Sequence, residues 1–389
     1  MTAVLIISIL LFLIYATLII YYRQGWVSIP GFEALAPGRN YSTKISVIIP
    51  ARNEARNIEA CLDSIRHQSY PSQLFEVIVV NDHSTDGTAS LIDLYTEGNI
   101  KRIDLADHVD DNLNAYKKKA IETGIQRSTG ELIVTTDADC IVLPNWLQTI
   151  AAFYETHRPA FIAAPVSINF STRFIEFFQG LDFMVLQGIT GAAVHKKTHC
   201  MCNGANLAYE KVAFETVNGF KGIDNIASGD DMLLMHKIYK QYPARVMFLK
   251  SEDAIVQTAP VHTIREFFQQ RIRWASKADK FGDKSMFPVL LLVYLFNLMM
   301  LTIPIVCIFN NAEFSIFNFQ FSIFEVWILM LILKTLIELI FLYPVAKFFG
   351  KQNMLMLFPL MEPYHIIYTV IAGWLGKFGS YEWKGRKVS

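Results

Sequence analysis

From Ala3 to Tyr22 the chain carries no charged residue. Twenty residues of helix reach about 30 Å, the thickness of a bilayer's hydrocarbon core. Such a segment is either a membrane anchor or a cleaved leader. A leader fits poorly, because no basic residue precedes the run and no small-residue cleavage pattern follows it. Tyr21, Tyr22 and Trp26 stand where an interfacial aromatic belt would lie, and Arg23 follows the apolar run. The segment 1–22 is therefore expected to be an uncleaved anchor. The positive-inside rule puts its N-terminus outside and residue 23 onward in the cytoplasm.

A second apolar mass lies in 281–389. Phe287 to Phe309 is free of charge and long enough to span. Ser322 to Phe349 is a second expected span, with Glu325, Lys334 and Glu338 inside it. Lys334 and Glu338 are four residues apart and share a helix face, so they are expected to pair. The loop Asn310–Phe321 has no Lys or Arg and belongs outside, which returns Lys347 and Lys351 to the inside. Met354–Phe378 is apolar but interrupted by Pro359, Glu362 and Pro363. A span here would carry Lys384, Arg386 and Lys387 outside, so a re-entrant or interfacial pair of helices is expected instead. The whole is a multi-pass protein of the cell (inner or plasma) membrane.

Composition agrees. Hydrophobic residues make up 52% and charged residues 18%, against roughly 25% charged in soluble domains. Lys+Arg 35 and Asp+Glu 35 cancel, which leaves no basic field for a nucleic acid. Five cysteines in 389 residues do not make a disulfide scaffold.

Between the apolar regions, after a linker 23–43 with Pro30, Gly31, Pro37 and Gly38, lies a stretch of ordinary polarity, 44–280. Ile45–Ile49 and Phe75–Val80 are β-branched apolar runs of the kind buried in parallel sheets. Leu132–Thr136 reads as another strand and Ile100–Leu105 as an exposed one. Asn57–Gln68, Thr85–Tyr95 and Tyr116–Arg127 read as helices. Strands alternating with helices predict a mostly parallel α/β sheet. Such sheets bind ligands beyond the carboxyl ends of their strands.

Polar residues gather at those ends. Pro50-Ala51-Arg52-Asn53-Glu54 follows the first strand, Asn81 to Gly87 the second, and Asp137-Ala138-Asp139 the fourth. Two aspartates one residue apart suit a shared hard cation, Mg²⁺ or Mn²⁺, which also takes phosphate oxygens. His195, His199, Cys200 and Cys202 offer zinc ligands. Zinc sites draw on paired turns, however, and no second Cys pair follows, so reduced thiols are expected.

Taken in order, Pro50–Glu54, Val80–Gly87, Lys117-Lys118-Lys119-Ala120, Asp137–Asp139, Asn203-Gly204-Ala205-Asn206, Asp230-Asp231 and Gln270-Arg271-Ile272-Arg273-Trp274 resemble the motifs of membrane-bound family 2 glycosyltransferases. The last is a QxxRW motif. Members acting on ceramide, or associated with carotenoids and hopanoids, also end in a tail like Trp383–Arg386. The resemblance implies a GT-A fold (Rossmann-like), a nucleotide-sugar donor, a lipid acceptor and a catalytic domain in the cytoplasm. Asp82 would bind the nucleobase, with Pro50, Ala51, Asn53 and Glu54 framing the nucleoside. Lys117 would lie near the donor, Asp137 and Ala138 at its ribose or sugar, and Asp139 on the metal. Asp231 would be the general base, while Gln270, Arg273 and Trp274 would cap the diphosphate and line the acceptor site.

Two departures stand out. The acidic pair is Asp-Asp where Glu-Asp is commoner, and Gln257 stands where relatives often have Glu. A processive polysaccharide synthase shares QxxRW, but two or three C-terminal spans offer little material for a polymer channel. A non-catalytic scaffold is opposed by the full set of acidic residues.

Overall fold

The computed structural model describes residues 2–34, 40–108, 115–171, 173–226, 229–276, 285–309, 313–316, 319–378, 381–383 and 386–388. Pro37, Gly38 and Lys384 lie outside them. The strands are β1 (Ile45–Ala51), β2 (Phe75–Asn81), β3 (Ile100–Asp104), β4 (Leu132–Thr135), β5 (Cys140–Val142), β6 (Phe161–Ala163), β7 (Val166–Ile168), β8 (Leu207–Glu210), β9 (Val246–Phe248), β10 (Val256–Thr258), β11 (Glu313–Ile316), β12 (Phe319–Ser322), β13 (Tyr381–Trp383) and β14 (Arg386–Val388). The helices are α1 (Thr2–Ser28), α2 (Ile58–Arg66), α3 (Thr88–Asp93), α4 (Tyr116–Gln126), α5 (Trp146–His157), α6 (Phe174–Lys196), α7 (Lys211–Thr216), α8 (Met232–Gln241), α9 (Ile264–Ala275), α10 (Met286–Phe309), α11 (Ile323–Phe348) and α12 (Phe358–Phe378).

The chain divides into two compact units, Ile29–Phe170 with Ala193–Pro260, and Met1–Ser28 with Ser171–Ala192 and Val261–Ser389. The first is an α/β unit around a seven-stranded sheet of order β3-β2-β1-β4-β8-β6-β9. β3, β2, β1 and β4 are mutually parallel, while β8 runs antiparallel to both β4 and β6. This is the mostly parallel sheet of a GT-A fold. Val47, Ile48, Ile49, Val77 to Val80, Ile133 and Val134 are all buried, as expected for strands covered on both faces. The carboxyl ends align in register, Ala51 opposite Asn81 and Asn81 opposite Asp104. α4 packs closely on β1: a Cβ on Gly124 would stand 2.7 Å from Ile48 Cγ2. A second sheet, β5-β10-β7, holds the chain just after Asp139. The helix expected over Thr85–Tyr95 is shorter, because Asp86 turns the chain before α3: its carboxylate accepts from Thr88 N and Ala55 N.

The other unit is built on helices. Among the described residues of the whole chain, five helical segments are long and apolar enough to cross a membrane: Ile6–Ser28, Phe174–Lys196, Met286–Cys307, Ile323–Phe348 and Gln352–Lys377. α1 continues to Ser28 without a break at residue 22. The expected pair of helices over Met354–Phe378 is instead a short 3₁₀ turn, Gln352–Leu357, followed by one α-helix that carries Pro363 inside it. Pro359 falls in the first turn, where the N–H groups lack acceptors in any case, whereas Pro363, the sixth residue, removes one intrahelical hydrogen bond. β11 and β12 form a hairpin where only a loop was expected. Within 44–280, α6 and the stretch from Val261 group with the apolar helices rather than with the sheet.

Candidate active site

The first two strand ends are held in tight, left-handed turns. Asn53 and His83 have φ of 52° and 51°, a region that Asn and His enter more readily than most side chains. Asn53 Oδ1 accepts from Thr85 N at 2.8 Å and Asn53 N donates to Ser84 Oγ at 3.1 Å, which ties the loop after β1 to the loop after β2, while Asn81 Oδ1 accepts from Ser84 N at 3.3 Å within the latter. Glu54 N donates to Thr88 Oγ1 at 2.8 Å, and the Glu54 carboxylate accepts from Asn57. Pro50 and Ala51 are the last residues of β1, and Ala51 O accepts from Asp82 N at 2.8 Å. Asp82 is buried. His83 Nδ1 lies 2.9 Å from its Oδ1, and the Arg52 guanidinium 3.7 Å away. Burial works against the charge of Asp86, but hydrogen bonds from Thr88 and Ala55 outweigh it and hold the carboxyl below its ordinary value. Asp86 is thus the staple between the two loops.

A second cluster forms where β4 ends. Lys117 Nζ, on the first turn of α4, stands 2.7 Å from Asp137 and 3.3 Å from Asp230. Burial disfavours the ammonium, but Asp137 and Asp230 outweigh it and raise its pKa well above the ordinary lysine value. Asp231 caps α8: its carboxylate accepts from Met232 N at 2.7 Å and from Gly204 N at 3.2 Å. Gly229, with φ of +80°, makes the turn that delivers this acidic pair, a conformation that costs glycine nothing. Lys117 therefore gathers Asp137 and Asp230 into one locus, and Gly204 N ties Asp231 beside it. Of the two aspartates of the Asp137–Asp139 turn, Asp137 pairs with Lys117. Ala138 is buried and Asp139 half-buried.

Among the described residues no three His, Cys, Asp or Glu side chains converge as a cation site. The donors that the Asp137–Asp139 turn offers are carboxylate oxygens, the chemistry that hard divalent cations take. Cys61 and Cys140 lie against this turn, with Cys140 Sγ 3.6 Å from Asp139 Oδ1. Burial, reinforced by Asp139 and Asp137, pushes both thiols up, so neither is a thiolate nucleophile. Asn206 of the Asn203–Asn206 motif is structural: it is buried, accepts from Trp146 Nε1 and donates to Pro165 O and Ala254 O. Gln257 accepts from Asn169 Nδ2 at 2.9 Å.

Gln270, Arg273 and Trp274 belong to the helical unit, on α9. This helix starts with a reciprocal cap between Thr263 and Glu266. Gln270, Arg273 and Trp274 are each half-buried. Between them Arg271, singled out by nothing in the sequence, is buried with its guanidinium 4.2 Å from the Trp274 ring centroid and 2.5 Å from Asp182. Tyr368 donates to the same aspartate. Asp230 and Arg52 stand inside motifs that the sequence marks, but it assigned neither a role; the structure pairs Asp230 with Lys117 and sets Arg52 beside Asp82.

Comparison with known proteins extends these observations. Residues 46–217 match the profile of glycosyl transferase family 2, and residues 132–371 that of glycosyl transferase family group 2. The chain is 35% identical over 104 residues to glycosyltransferase AglE of Haloferax volcanii, covering 27% of this chain and 33% of that one. It is 25% identical over 240 residues to probable glycosyltransferase YdaM of Bacillus subtilis, covering 60% and 54%. The chain thus spans a third to about half the length of these relatives. Mannosyltransferase PcManGT from Pyrobaculum calidifontis, solved with GDP-Man and Mn²⁺, superposes with a TM-score of 0.58 at 20% identity over 96% of this chain and 97% of that one. At that identity the likeness establishes the fold.

Proposed function

We propose, since the chain belongs to the family 2 glycosyltransferases, that it transfers a sugar from a nucleotide-sugar donor to a lipid hydroxyl at the cytoplasmic face of the cell membrane. The observation that carries this reading is Lys117, which binds Asp137 at 2.7 Å and Asp230 at 3.3 Å. It joins the turn after β4 to the acidic pair at the start of α8. In our reading Asp82 recognises the nucleobase, uracil being expected, within the loops that Asn53, Glu54 and Asp86 hold. Pro50 and Ala51 form the floor beneath the nucleoside. Asp137 and Ala138 line the ribose or sugar, and Lys117 offsets diphosphate charge.

Asp139 would hold Mg²⁺ or Mn²⁺, and the GDP-Man and Mn²⁺ of the mannosyltransferase support a divalent cation and a nucleoside-diphosphate sugar. When bound, the cation neutralises the departing nucleoside diphosphate. Asp231 accepts the proton of the acceptor hydroxyl as its oxygen attacks the anomeric carbon in line, with inversion. Its two backbone donors fix the carboxylate, so its orientation does not await the substrate. Gln270, Arg273 and Trp274 of α9 are assigned to the diphosphate and acceptor. The apolar helices support a membrane location and hence a lipid acceptor.

The test uses the purified full chain in nanodiscs of bacterial lipid, with radiolabelled UDP-glucose, UDP-N-acetylglucosamine and GDP-mannose. Manganese-dependent label in organic-extractable lipid, one sugar per lipid, is expected. A ladder of many added sugars identifies a polymerase instead, and absence of nucleoside diphosphate release with every donor overturns the enzyme reading.

A further inference from the structure

Three successive lysines, Lys117, Lys118 and Lys119, sit on the first turn of α4. Helix N-termini disfavour cations, because the backbone dipole already places positive charge there. Each ammonium therefore needs a compensating partner. Lys119 finds Glu122 at 2.8 Å on its own helix, and Lys117 has its two aspartates. Lys118 is the anomalous one. Its side chain is 1% exposed and shares the buried face of α4 with Ala120, Ile121 and Ile125, where an aliphatic residue would pack at no electrostatic cost. A buried ammonium is retained only where hydrogen bonds offset its desolvation. Lys118 Nζ donates to Ile223 O at 2.9 Å and also to Ile226 O. Lys237 Nζ grips the start of the same loop, donating to Gly219 O and, at 2.9 Å, to Lys221 O. Glycines with positive φ at 219, 222 and 229 shape this segment, and backbone of that kind has little stiffness of its own. In sequence Asp230 follows Ile226 by four residues.

We propose that Lys118 is a positioning residue for the catalytic base: it anchors the 219–226 loop so that Asp231 is held at the acceptor hydroxyl. This inference rests on the base assignment made above. Lys117 and Lys118 then divide one task between adjacent side chains of a single helical turn. Lys117 holds the Asp230 carboxylate, and Lys118 holds the backbone at Ile223 and Ile226, ahead of it in the chain. Because the anchoring acts on backbone carbonyls and not on the donor, its loss is expected to lower kcat and leave donor affinity unchanged.

The experiment is a double-mutant cycle on the full chain in nanodiscs, using whichever of UDP-glucose, UDP-N-acetylglucosamine or GDP-mannose labels lipid. Lys118→Met is expected to lower kcat about 10-fold with donor KM within about 2-fold. Lys118→Gln, which keeps an amide donor and is the milder change for folding, is expected to fall between wild type and Met. In the Asp231→Asn background, Lys118→Met is expected to cause no further loss, because residues that act as one unit are not additive. An undiminished 10-fold loss in that background, or a kcat equal to wild type in both Lys118 variants, overturns the inference. If Asp231→Asn itself retains full kcat, the base assignment fails instead, so the two failures are distinguishable.

Discussion

Two lysines in this protein each stand between two carboxylates, and they do opposite things. Lys117 lies 2.7 Å from Asp137 and 3.3 Å from Asp230, with 21% of its side chain exposed. Lys334, on α11, lies 2.6 Å from Glu338 and also contacts Glu362 of α12, and its side chain is fully buried. The Tyr15 hydroxyl donates to Glu338, and the Tyr15 ring lies 5.6 Å from the ammonium. The chemistry of the two triads is the same, one cation and two acids. Their surroundings differ. At the sheet edge Asp139 and Asp231 lie half-buried close by, so the locus carries surplus negative charge that a ligand can reach, as suits a divalent cation and its diphosphate. Among the apolar helices the charges are sealed in, with one buried Glu362 oxygen left without a hydrogen-bond partner. A buried ion triad is thus not by itself a sign of an active site; access and surplus charge are.

The largest expected effect tests the sheet-edge half of this contrast. Asp231→Asn should lower kcat by about 10²–10⁴-fold, the usual contribution of a general base, while nucleoside diphosphate binding by calorimetry stays as in wild type. Asn keeps the α8 cap. Asp82→Asn should weaken donor binding first. Equal loss of binding in the two variants would remove the base assignment.

Next comes the sealed triad. Lys334→Met leaves Glu338 and Glu362 facing each other without a cation, and breaking a buried pair costs about 3–5 kcal/mol. Thermal unfolding in detergent should register it. Replacing all three residues with Met should recover most of the stability. If Lys334→Met left stability intact but stopped transfer, the triad would be functional after all.

A smaller effect sharpens the metal assignment. Asp139→Asn should raise the Mn²⁺ concentration for half-maximal activity by at least about 10-fold, since loss of even outer-shell partners costs 10–100-fold in metal affinity. Asp137→Asn, whose partner is Lys117, should shift that titration less. Equal shifts would mean that both aspartates hold the cation.

The smallest effect concerns pH. Burial disfavours the Glu76 carboxylate, but the Thr129 N–H and hydroxyl, Ser46 and Lys101 outweigh it and lower its pKa to about 2 from 4.5. A depressed folded-state pKa contributes stability that is present above the unfolded value and lost as pH falls through the folded one. Melting temperature should therefore fall between pH 4.5 and about 2, and Glu76→Gln should flatten that slope.

Much of the sheet was legible in the sequence because its information is local. β-branched runs and turn residues mark β1, β2, β3 and β4 within one or two residues of their observed bounds, since period and propensity act over a few residues. The acidic turns at the strand ends were legible for the same reason: once the strands are placed, the residues after them have nowhere else to go. What the sequence left out depends on partners far along the chain. α6 did not read as an apolar helix because Glu176, Gln179, Asp182 and Gln187 interrupt it. Its polar groups are answered from elsewhere: His262 meets Glu176, Val261 O accepts from Gln179, and Arg271, 89 residues on, meets Asp182. The same holds for Lys117, whose two carboxylates come from after β4 and from before α8. The sequence by itself determined the order and type of the elements from β1 to β4 and which acids stand at their ends. Only the tertiary structure decided which charge each acid meets, because pairing depends on chain closure over tens of residues, and no local pattern encodes that.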